Sequence, residues 1–159
     1  MRRLEGRLAV VTGAANGIGQ ASALRFASEG ANLAILDIDT EGLGVTAEKA
    51  RADGAEVLSI TADCTDESVI IEAFKKIYAD AGFVDILMNN VGQSARERAS
   101  EFYQSSSDVW RFVLEVSLIA TLTSSRQVVP AMREAGRGKI VNVASNAGMA
   151  GEVGISEYA

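Results

Sequence analysis

The chain has 159 residues, 48% of them hydrophobic, which is enough for one domain with a sizeable core. Its net charge of −6 repels phosphate backbones and anionic lipids, which argues against nucleic acid and membrane surfaces as partners. Without histidine there is no Ser-His-Asp triad and no imidazole-bound metal, and a single cysteine with no apolar leader indicates a cytoplasmic protein.

Apolar runs alternate with helical patterns along the chain, which is typical of repeated βαβ units around a parallel sheet. The predicted strands span residues 8–12, 32–37, 56–61, 84–89 and 139–144. The predicted helices span about 17–28, 40–52, 67–81 and 108–135, and Pro130 predicts a kink or break in the last one. The third strand alternates polar and apolar residues, which places it nearer a sheet edge. The sequence therefore predicts an α/β fold.

The first strand leads into the glycine-rich turn Thr12–Gly19, which opens the first helix. Gly13 suits a tight turn, Gly17 suits a positive φ angle, and Gly19 allows close approach of helix and ligand. A helix that begins at such a turn presents free backbone N–H groups to an anion, and the expected anion is a pyrophosphate. The alternative is an ordinary strand-to-helix turn with three glycines.

The second strand ends in an acid, Asp37, 18 residues beyond Gly19. In open parallel sheets ligands lie outside the carboxyl ends of the strands, so this carboxylate can accept hydrogen bonds from the ribose hydroxyls of NAD. It would repel the 2′-phosphate of NADP, and neither Asn16 nor Ile38 supplies a compensating positive charge. The sequence therefore favours NAD. The alternative is an acid that caps the next turn.

Several motifs at consistent spacing resemble those of the short-chain dehydrogenase/reductase family. The turn has the family's Thr-Gly-x-x-x-Gly-x-Gly form, Asn89–Gly92 is similar to its Asn-Asn-Ala-Gly segment, and Ser145 and Tyr158 stand 13 residues apart, as its serine and tyrosine do. The resemblance covers residues 7–159 and implies one NAD-binding domain, 1–159, with a Rossmann-like doubly wound parallel sheet. Because members carry two further strands, we expect a sheet truncated after the fifth strand.

The resemblance also implies which residues contact the cofactor. Asp63 would contact the adenine ring, whereas Asn90 and Gly92 would lie along the cofactor and the asparagines would tie the loop to the sheet. From the residues alone, Asp63 could equally be a loop acid that starts a helix. The expected contacts are Gly13, Asn16, Gly17, Ile18, Gly19, Asp37, Ile38, Asp63, Cys64, Asn90, Val91, Gly92 and Tyr158.

By the same resemblance, the catalytic residues are Tyr158, Ser145 and Ser117. A tyrosine, whose ordinary pKa is ~10, needs a positive neighbour to exchange protons near neutral pH. The family's lysine would fall at position 162, beyond Ala159. Ser145 would stabilise the charge that develops on the substrate oxygen. Ser117 follows Trp110 by seven residues and replaces the family's asparagine, either as part of an altered proton relay or as a helix residue that bonds to its own backbone.

Three functions are compatible with these residues, and the weakest is a structural or interaction protein with a vestigial fold, because the glycine motif and Asp37 are both intact. Of the other two, the first is an NAD-dependent oxidoreductase acting on a secondary alcohol or ketone, with the sequence an incomplete copy of it. The second is a non-catalytic nucleotide-binding fragment that needs a partner for the missing lysine and lid. The family implies a homo-oligomer, a dimer or tetramer, if the full-length chain is longer. Substrate specificity is expected in the loops 92–107 and 146–155, and no metal site is expected.

Overall fold

The computed structural model describes residues 2–159, and the predicted alternation of strands and helices is confirmed. The strands are β1 (Leu8–Thr12), β2 (Asn32–Asp37), β3 (Val57–Thr61), β4 (Ile86–Asn89) and β5 (Lys139–Asn142). The α-helices are α1 (Gly17–Ser28), α2 (Thr40–Ala52), α3 (Glu67–Asp80), α4 (Ser107–Leu114), α5 (Ala120–Glu134) and α6 (Ala147–Ala150). The loop that follows β4 contains two short 3-10 helices, Arg96–Arg98 and Phe102–Gln104, that the sequence did not predict.

The five strands form one parallel sheet in the order β3-β2-β1-β4-β5. β3 lies at one edge, as its alternating pattern predicts, and β5 lies at the other. The chain moves outward from β1 to β3 and then crosses to the opposite side of β1 to begin β4. Ligands of such sheets bind outside the carboxyl ends of the strands, where the strand order reverses. The fold therefore places the candidate site above the ends of β1 and β4.

Helices cover both faces of the sheet and create two apolar clusters. Val10 and Leu87 point toward the face covered by α3 and α5, whereas Val11 and Ile35 point toward the face covered by α1 and α2. Every residue of β1 is buried, as expected for a central parallel strand with helices on both sides. Full burial of one such side chain stabilises a fold by about 1.5–3 kcal/mol. The buried central strands therefore give rigid support to the loops at their carboxyl ends.

A continuous helical run of 28 residues, Ser107–Glu134, crosses the sheet, and a π turn at Glu115–Ile119 separates α4 from α5. The helix continues through Pro130, so the predicted break does not occur. Proline removes one backbone hydrogen bond, but Val128 and Met132 pack into the core on either side of it. Core contacts therefore hold the helix together at this point.

By length and composition alone, the same run is apolar enough to cross a membrane. Core helices of globular domains meet this criterion as well, and 33% of its most apolar 18-residue window is buried inside the fold. In this structure α5 contacts α3 and β4. The helix therefore acts here as a cover for one face of the sheet.

Candidate active site

The turn between β1 and α1 is as tight as its glycines predict. Gly13 and Gly17 have φ angles of +66° and +54°, in the left-handed region that favours glycine. A Cβ atom on Gly19 would lie 1.9 Å from the carbonyl oxygen of Gly13, which is closer than any two such atoms can approach. The turn therefore requires glycine at position 19 for steric reasons.

The N-terminus of α1 keeps its backbone donors available. Asn16, the N-cap residue, is extended, and its side chain makes no capping hydrogen bond within the described chain. The first turn of α1 also carries no acidic residue. Since the first N–H groups of a helix have no partner inside the helix, they point at whatever lies beyond its end. This helix terminus therefore suits an anion.

A pair of side chains fastens the turn to β4. Thr12 is fully buried, and its Oγ1 atom accepts hydrogen bonds from the backbone N–H groups of Asn90, at 3.0 Å, and Val91, at 3.3 Å. In return, Asn90 Nδ2 donates to the carbonyl oxygens of Thr12, at 3.1 Å, and Gly13, at 3.0 Å. Asn90 thus ties the loop to the sheet, as expected. The role of Thr12 was missed, although the residue stands in the motif.

A second polar contact, also missed by sequence reasoning, fastens the turn to α2. The hydroxyl of the buried Thr46 lies 3.0 Å from the carbonyl oxygen of Ala14 and accepts a hydrogen bond from Gln20 Nε2 at 2.7 Å. Gln20 also donates to the carbonyl oxygen of Ala15 at 3.0 Å. The only sequence signal is a threonine on the apolar face of α2. Together the two contacts fix the turn from both sides.

Asp37 stands at the end of β2 and faces the same turn. One carboxylate oxygen accepts a hydrogen bond from the N–H group of Ala15 at 2.9 Å, and the other accepts from the N–H group of Asp39 at 3.0 Å. Each carboxylate oxygen can accept a second bond. The cap of α2 is Asp39, which accepts from the N–H group of Gly42 at 3.0 Å. Asp37 therefore caps the turn that follows β2, as the alternative expects, and holds the glycine turn as well, whereas the cap of α2 is Asp39.

Asp63 and Cys64 follow β3. The Asp63 carboxylate accepts hydrogen bonds from the N–H group of Thr65, at 2.9 Å, and from its hydroxyl, at 2.7 Å. Asp66, and not Asp63, caps α3. Burial raises the pKa of the Cys64 thiol to about 12, and the nearby carboxylates of Asp37 and Asp63 add to the shift. Cys64 is therefore a small, neutral thiol and not a reactive thiolate.

Most of the expected cofactor residues line one cavity of about 460 Å³, here called the Asp37 cavity. This size lies within the range of small-molecule sites. Gly17 and Gly19 lie beside it in the turn, and Tyr158 lies outside it. The expected residues that line it are Gly13, Asn16, Ile18, Asp37, Ile38, Asp63, Cys64, Asn90, Val91 and Gly92.

A second cavity of about 720 Å³, here called the Tyr158 cavity, brings together all three expected catalytic residues, Ser117, Ser145 and Tyr158. Ile18 and the segment Asn90–Gly92 line both cavities. The two cavities therefore form one groove above the carboxyl ends of the strands.

The three expected catalytic residues come from separate elements. Ser145 follows β5, and its Oγ atom accepts a hydrogen bond from the N–H group of Ala147 at 3.2 Å. Tyr158 packs against Val109 and Val113 of α4. Ser117 lies in the π turn, and its Oγ atom accepts a hydrogen bond from the N–H group of Gln93 at 3.3 Å. The Ser117 side chain therefore bonds to the loop after β4 and not to the backbone of its own helix, so the alternative role does not hold.

The family model for short-chain dehydrogenases matches residues 7–159. The chain belongs to the short-chain dehydrogenase family. Its sheet is the Rossmann-like parallel sheet of that family, as the sequence predicts. The family resemblance, the fold and the glycine turn thus agree along nearly the whole chain.

Relatives of this short-chain dehydrogenase have varied substrates in their names. An uncharacterized oxidoreductase of Bacillus subtilis is 37% identical over 99% of the chain and 57% of its own length. The 3-oxoacyl-acyl-carrier-protein reductase of Thermotoga maritima is 35% identical over 99% of the chain and 63% of its own length. The crystal structure of NAD+-bound xylitol dehydrogenase matches with a TM-score of 0.90 and 32% identity, covering 98% of the chain and 59% of that structure. The chain thus spans about six-tenths of these proteins.

Two loops that the sequence predicts to carry specificity are joined to each other in this short-chain dehydrogenase. Arg96 forms an ion pair with Glu152 at 2.8 Å, and the N–H group of Ser100 donates to the carbonyl oxygen of Gly154 at 3.0 Å. The guanidinium group of Arg98 lies 4.6 Å from the centre of the Phe112 ring. Both arginines are thus engaged within the protein.

Proposed function

We propose that this short-chain dehydrogenase binds NAD in the groove and acts on a secondary alcohol or ketone. The observation that carries the proposal is the continuity of the Asp37 and Tyr158 cavities, since ten expected cofactor residues line the first and the three expected catalytic residues line the second. The xylitol dehydrogenase with a similar structure has NAD+ bound. Bound NAD would supply the hydride acceptor and donor.

The choice of NAD over NADP rests on charge. Asp37 and Asp63 line the Asp37 cavity, whereas none of the described residues that line it is a lysine or arginine. A 2′-phosphate near two carboxylates would meet repulsion with no compensating cation. The ribose hydroxyls of NAD, in contrast, can donate to the remaining acceptor positions of Asp37.

In the proposed reaction Tyr158 exchanges a proton with the substrate oxygen, and Ser145 donates a hydrogen bond to the same oxygen. The Ser145 hydroxyl accepts its bond from the N–H group of Ala147, which leaves its own hydrogen free to donate. Ser117 holds the backbone of Gln93 at the border of the two cavities. Donors placed where charge develops stabilise the transition state more than the substrate.

Cofactor choice is tested by titrating the protein with NADH and NADPH while following the fluorescence of the nicotinamide. We expect NADH to bind at least tenfold more tightly. Asp37→Asn removes the charge but keeps an acceptor, and it should reduce this preference. Asp39→Asn is the matched control, because asparagine caps a helix as well as aspartate does. A wild-type preference for NADPH would overturn the choice of NAD.

Turnover is tested with NAD and a panel of secondary alcohols, and with NADH and the matching ketones. Tyr158→Phe and Ser145→Ala should each lower kcat by about 10²-fold or more with NADH binding retained. Tyr103→Phe is the control, because this tyrosine side chain is 81% exposed. Turnover that survives both substitutions would contradict the assigned roles.

A non-catalytic nucleotide-binding protein remains the second candidate, and the residue that favours it is Ser117. In the family pattern an asparagine stands at this position in the proton relay, whereas Ser117 bonds to the backbone of Gln93. This candidate predicts NADH binding without turnover of any alcohol or ketone. Ser117→Asn would then be the first substitution with which to seek activity.

Oligomer formation and a cytoplasmic location belong to the same proposal. Ile119, Leu122 and Val129 recur at helical spacing from the π turn into α5, and each is exposed. Apolar helix faces of this kind mark protein interfaces. Sedimentation should therefore show dimers or tetramers, and a monomer at all concentrations would contradict this part of the proposal. Cys64, as the single cysteine, fits a reducing compartment.

A further inference from the structure

The turn at the start of α1 contains the only asparagine of the sequence that is followed by glycine, Asn16–Gly17. An asparagine side chain is thermolabile because the backbone nitrogen of the next residue can attack its amide carbon. Glycine permits this attack most readily, since it has no Cβ atom to shield the nitrogen. The pair therefore brings the reactive amide and an unshielded nitrogen together at the candidate anion site.

The surroundings of the pair leave both reacting groups unhindered. Asn16 and Gly17 are exposed, and the Asn16 side chain makes no capping hydrogen bond within residues 2–159. A Cβ atom built on Gly17 would meet nothing within 4 Å, so the space around this residue is open. Because Gly17 is the first residue of α1, its N–H group also has no partner inside the helix.

The other asparagines differ from Asn16 in their contacts or in the residue that follows them. Most have side chains that take part in hydrogen bonds of 2.9–3.2 Å, namely Asn32, Asn89, Asn90 and Asn142. Asn146, at the start of α6, is exposed and makes no capping hydrogen bond within the same residues, but it is followed by Ala147. Asn146 is therefore an internal comparison for Asn16.

We propose that Asn16 is a site of spontaneous deamidation that closes the anion site at the start of α1. The backbone nitrogen of Gly17 attacks the amide carbon Cγ of Asn16, and the new C–N bond forms as the amide nitrogen leaves as ammonia with the Gly17 proton. Water then opens the resulting cyclic imide at either carbonyl, which gives aspartate or isoaspartate. The reaction consumes one water and releases one ammonia, and nothing is oxidised or reduced.

The product carries a negative charge where the proposed function places the pyrophosphate of NAD. This consequence rests on the proposed function, whereas the reaction itself needs only Asn16 and Gly17. A carboxylate at a helix N-terminus attracts the same N–H groups that would bind the anion, and it repels the anion as well. Aspartate caps a helix as well as asparagine does, so the fold keeps its stability while the site is lost. A ligand on these N–H groups covers the attacking nitrogen, so bound NAD should protect Asn16.

The test incubates the protein in mildly alkaline buffer and follows its tryptic peptides by mass spectrometry. Peptide 8–25 has Asn16 as its only asparagine, so a mass increase of about 1 Da reports this site. We expect this increase at least about tenfold faster than in peptide 140–159, which carries Asn142 and Asn146. Asn16→Ser is the matched control, because serine caps a helix but has no amide. Saturating NADH should slow the increase in the wild-type protein.

NADH affinity is titrated on the same samples. It should fall by about tenfold or more as the wild-type protein is modified, because the new carboxylate repels the pyrophosphate. Whatever affinity Asn16→Ser has at the start should stay constant during incubation. Asn16→Asp should bind NADH about tenfold more weakly than Asn16→Ser and resist urea at least as well, since an acid suits a helix N-terminus.

Several outcomes would overturn the proposal. A mass increase in peptide 8–25 that is no faster than in peptide 140–159 would remove the labile site. A modified protein that binds NADH as tightly as before would remove its effect on the anion site. If no dinucleotide binds to the fresh protein, the proposed function fails, whereas a mass increase at Asn16 that inorganic pyrophosphate slows would still support the proposal. Absence of protection by pyrophosphate would then overturn it.

Discussion

The two cavities of the groove are built in different ways. Around the Asp37 cavity, the glycine turn is fixed by buried side chains, among them Thr12 and Thr46, which have no exposed surface. Around the Tyr158 cavity, Ser145 is held by one hydrogen bond, from the backbone N–H group of Ala147 two residues away, and Tyr158 lies in the loop after α6. One part of the groove is thus shaped by the core, and the other by loops.

The difference indicates that cofactor affinity depends on the buried core, whereas substrate turnover depends on the loops. A turn fixed by buried hydrogen bonds has its donors in position before a ligand arrives, so binding costs little reorganisation. Surface loops can change without disturbing the core. We therefore expect substitutions near the Asp37 cavity to reduce stability and cofactor affinity together. Those near the Tyr158 cavity should change turnover with little effect on stability.

The largest effect is expected at Gly19. Gly19→Ala would place its Cβ atom 1.9 Å from the carbonyl oxygen of Gly13 and 2.6 Å from Asn90 Nδ2, so the turn must move. Such overpacking typically costs about 1–3 kcal/mol, and we expect NADH affinity to fall by about 10²-fold. Urea unfolding and NADH titration measure the two losses. Gly44→Ala in α2 is the control, because an added Cβ atom there meets nothing within 4 Å and should raise stability by about 0.5–1 kcal/mol.

The next effect is expected at Thr12. Thr12→Val keeps the shape of the side chain but leaves the N–H groups of Asn90 and Val91 without their acceptor. An unsatisfied buried donor costs about 1–3 kcal/mol, so the free energy of unfolding should fall by that amount. Thr40→Val, at an exposed position, should change stability by less than about 0.5 kcal/mol. Equal losses in the two variants would argue against a special role for Thr12.

Ser145→Ala tests the expectation that substitutions near the Tyr158 cavity change turnover and not stability. Because its single hydrogen bond joins it to Ala147, two residues away, the free energy of unfolding should change by less than about 0.5 kcal/mol. The proposed loss of kcat is, in contrast, about 10²-fold or more. Urea unfolding and turnover measured on one preparation check both numbers. A large loss of stability would mean that the Tyr158 cavity depends on buried contacts as much as the Asp37 cavity does.

The smallest effect concerns Glu29, which follows α1 at the end far from the groove. The hydrogen bond from the Arg3 side chain, followed by the Arg3 backbone and charge, lowers the pKa of Glu29 to about 2 from 4.5. Its contribution to stability is therefore complete above about pH 4.5 and is lost as the pH falls toward 2. Glu29→Gln should weaken the pH dependence of urea unfolding in this window and leave NADH affinity unchanged. An unaltered pH dependence would contradict the lowered pKa.

The sequence predicted the fold well because strand burial and helix spacing leave a local pattern. The predicted fourth strand began at residue 84, whereas β4 begins at Ile86, after Asp85 has turned its carboxylate to Arg7 and Arg137. That ion cluster joins residues far apart in sequence, so no local pattern reports it. The fifth strand likewise stops at Asn142, short of the predicted residue 144.

The candidate site was predictable where a residue belongs to a spaced motif. Gly19, Asp37 and Ser145 were predicted in this way, and the structure places them around one groove. Thr46 and Gln20 were missed because their role is a contact between α1, α2 and the turn, which exists only in the folded chain.

The π turn at Glu115–Ile119 amounts to one inserted residue in an otherwise regular helix. Each residue rotates an α-helix by about 100°, and the wider π turn takes up the rotation of its extra residue locally. Loss of a single codon in this turn would therefore restore a regular α-helix and leave α4, Val128 and Met132 on their present faces. Loss of a codon within α4 itself would instead rotate part of the wall of the groove by about 100°, so the helix tolerates a one-residue deletion best at its π turn.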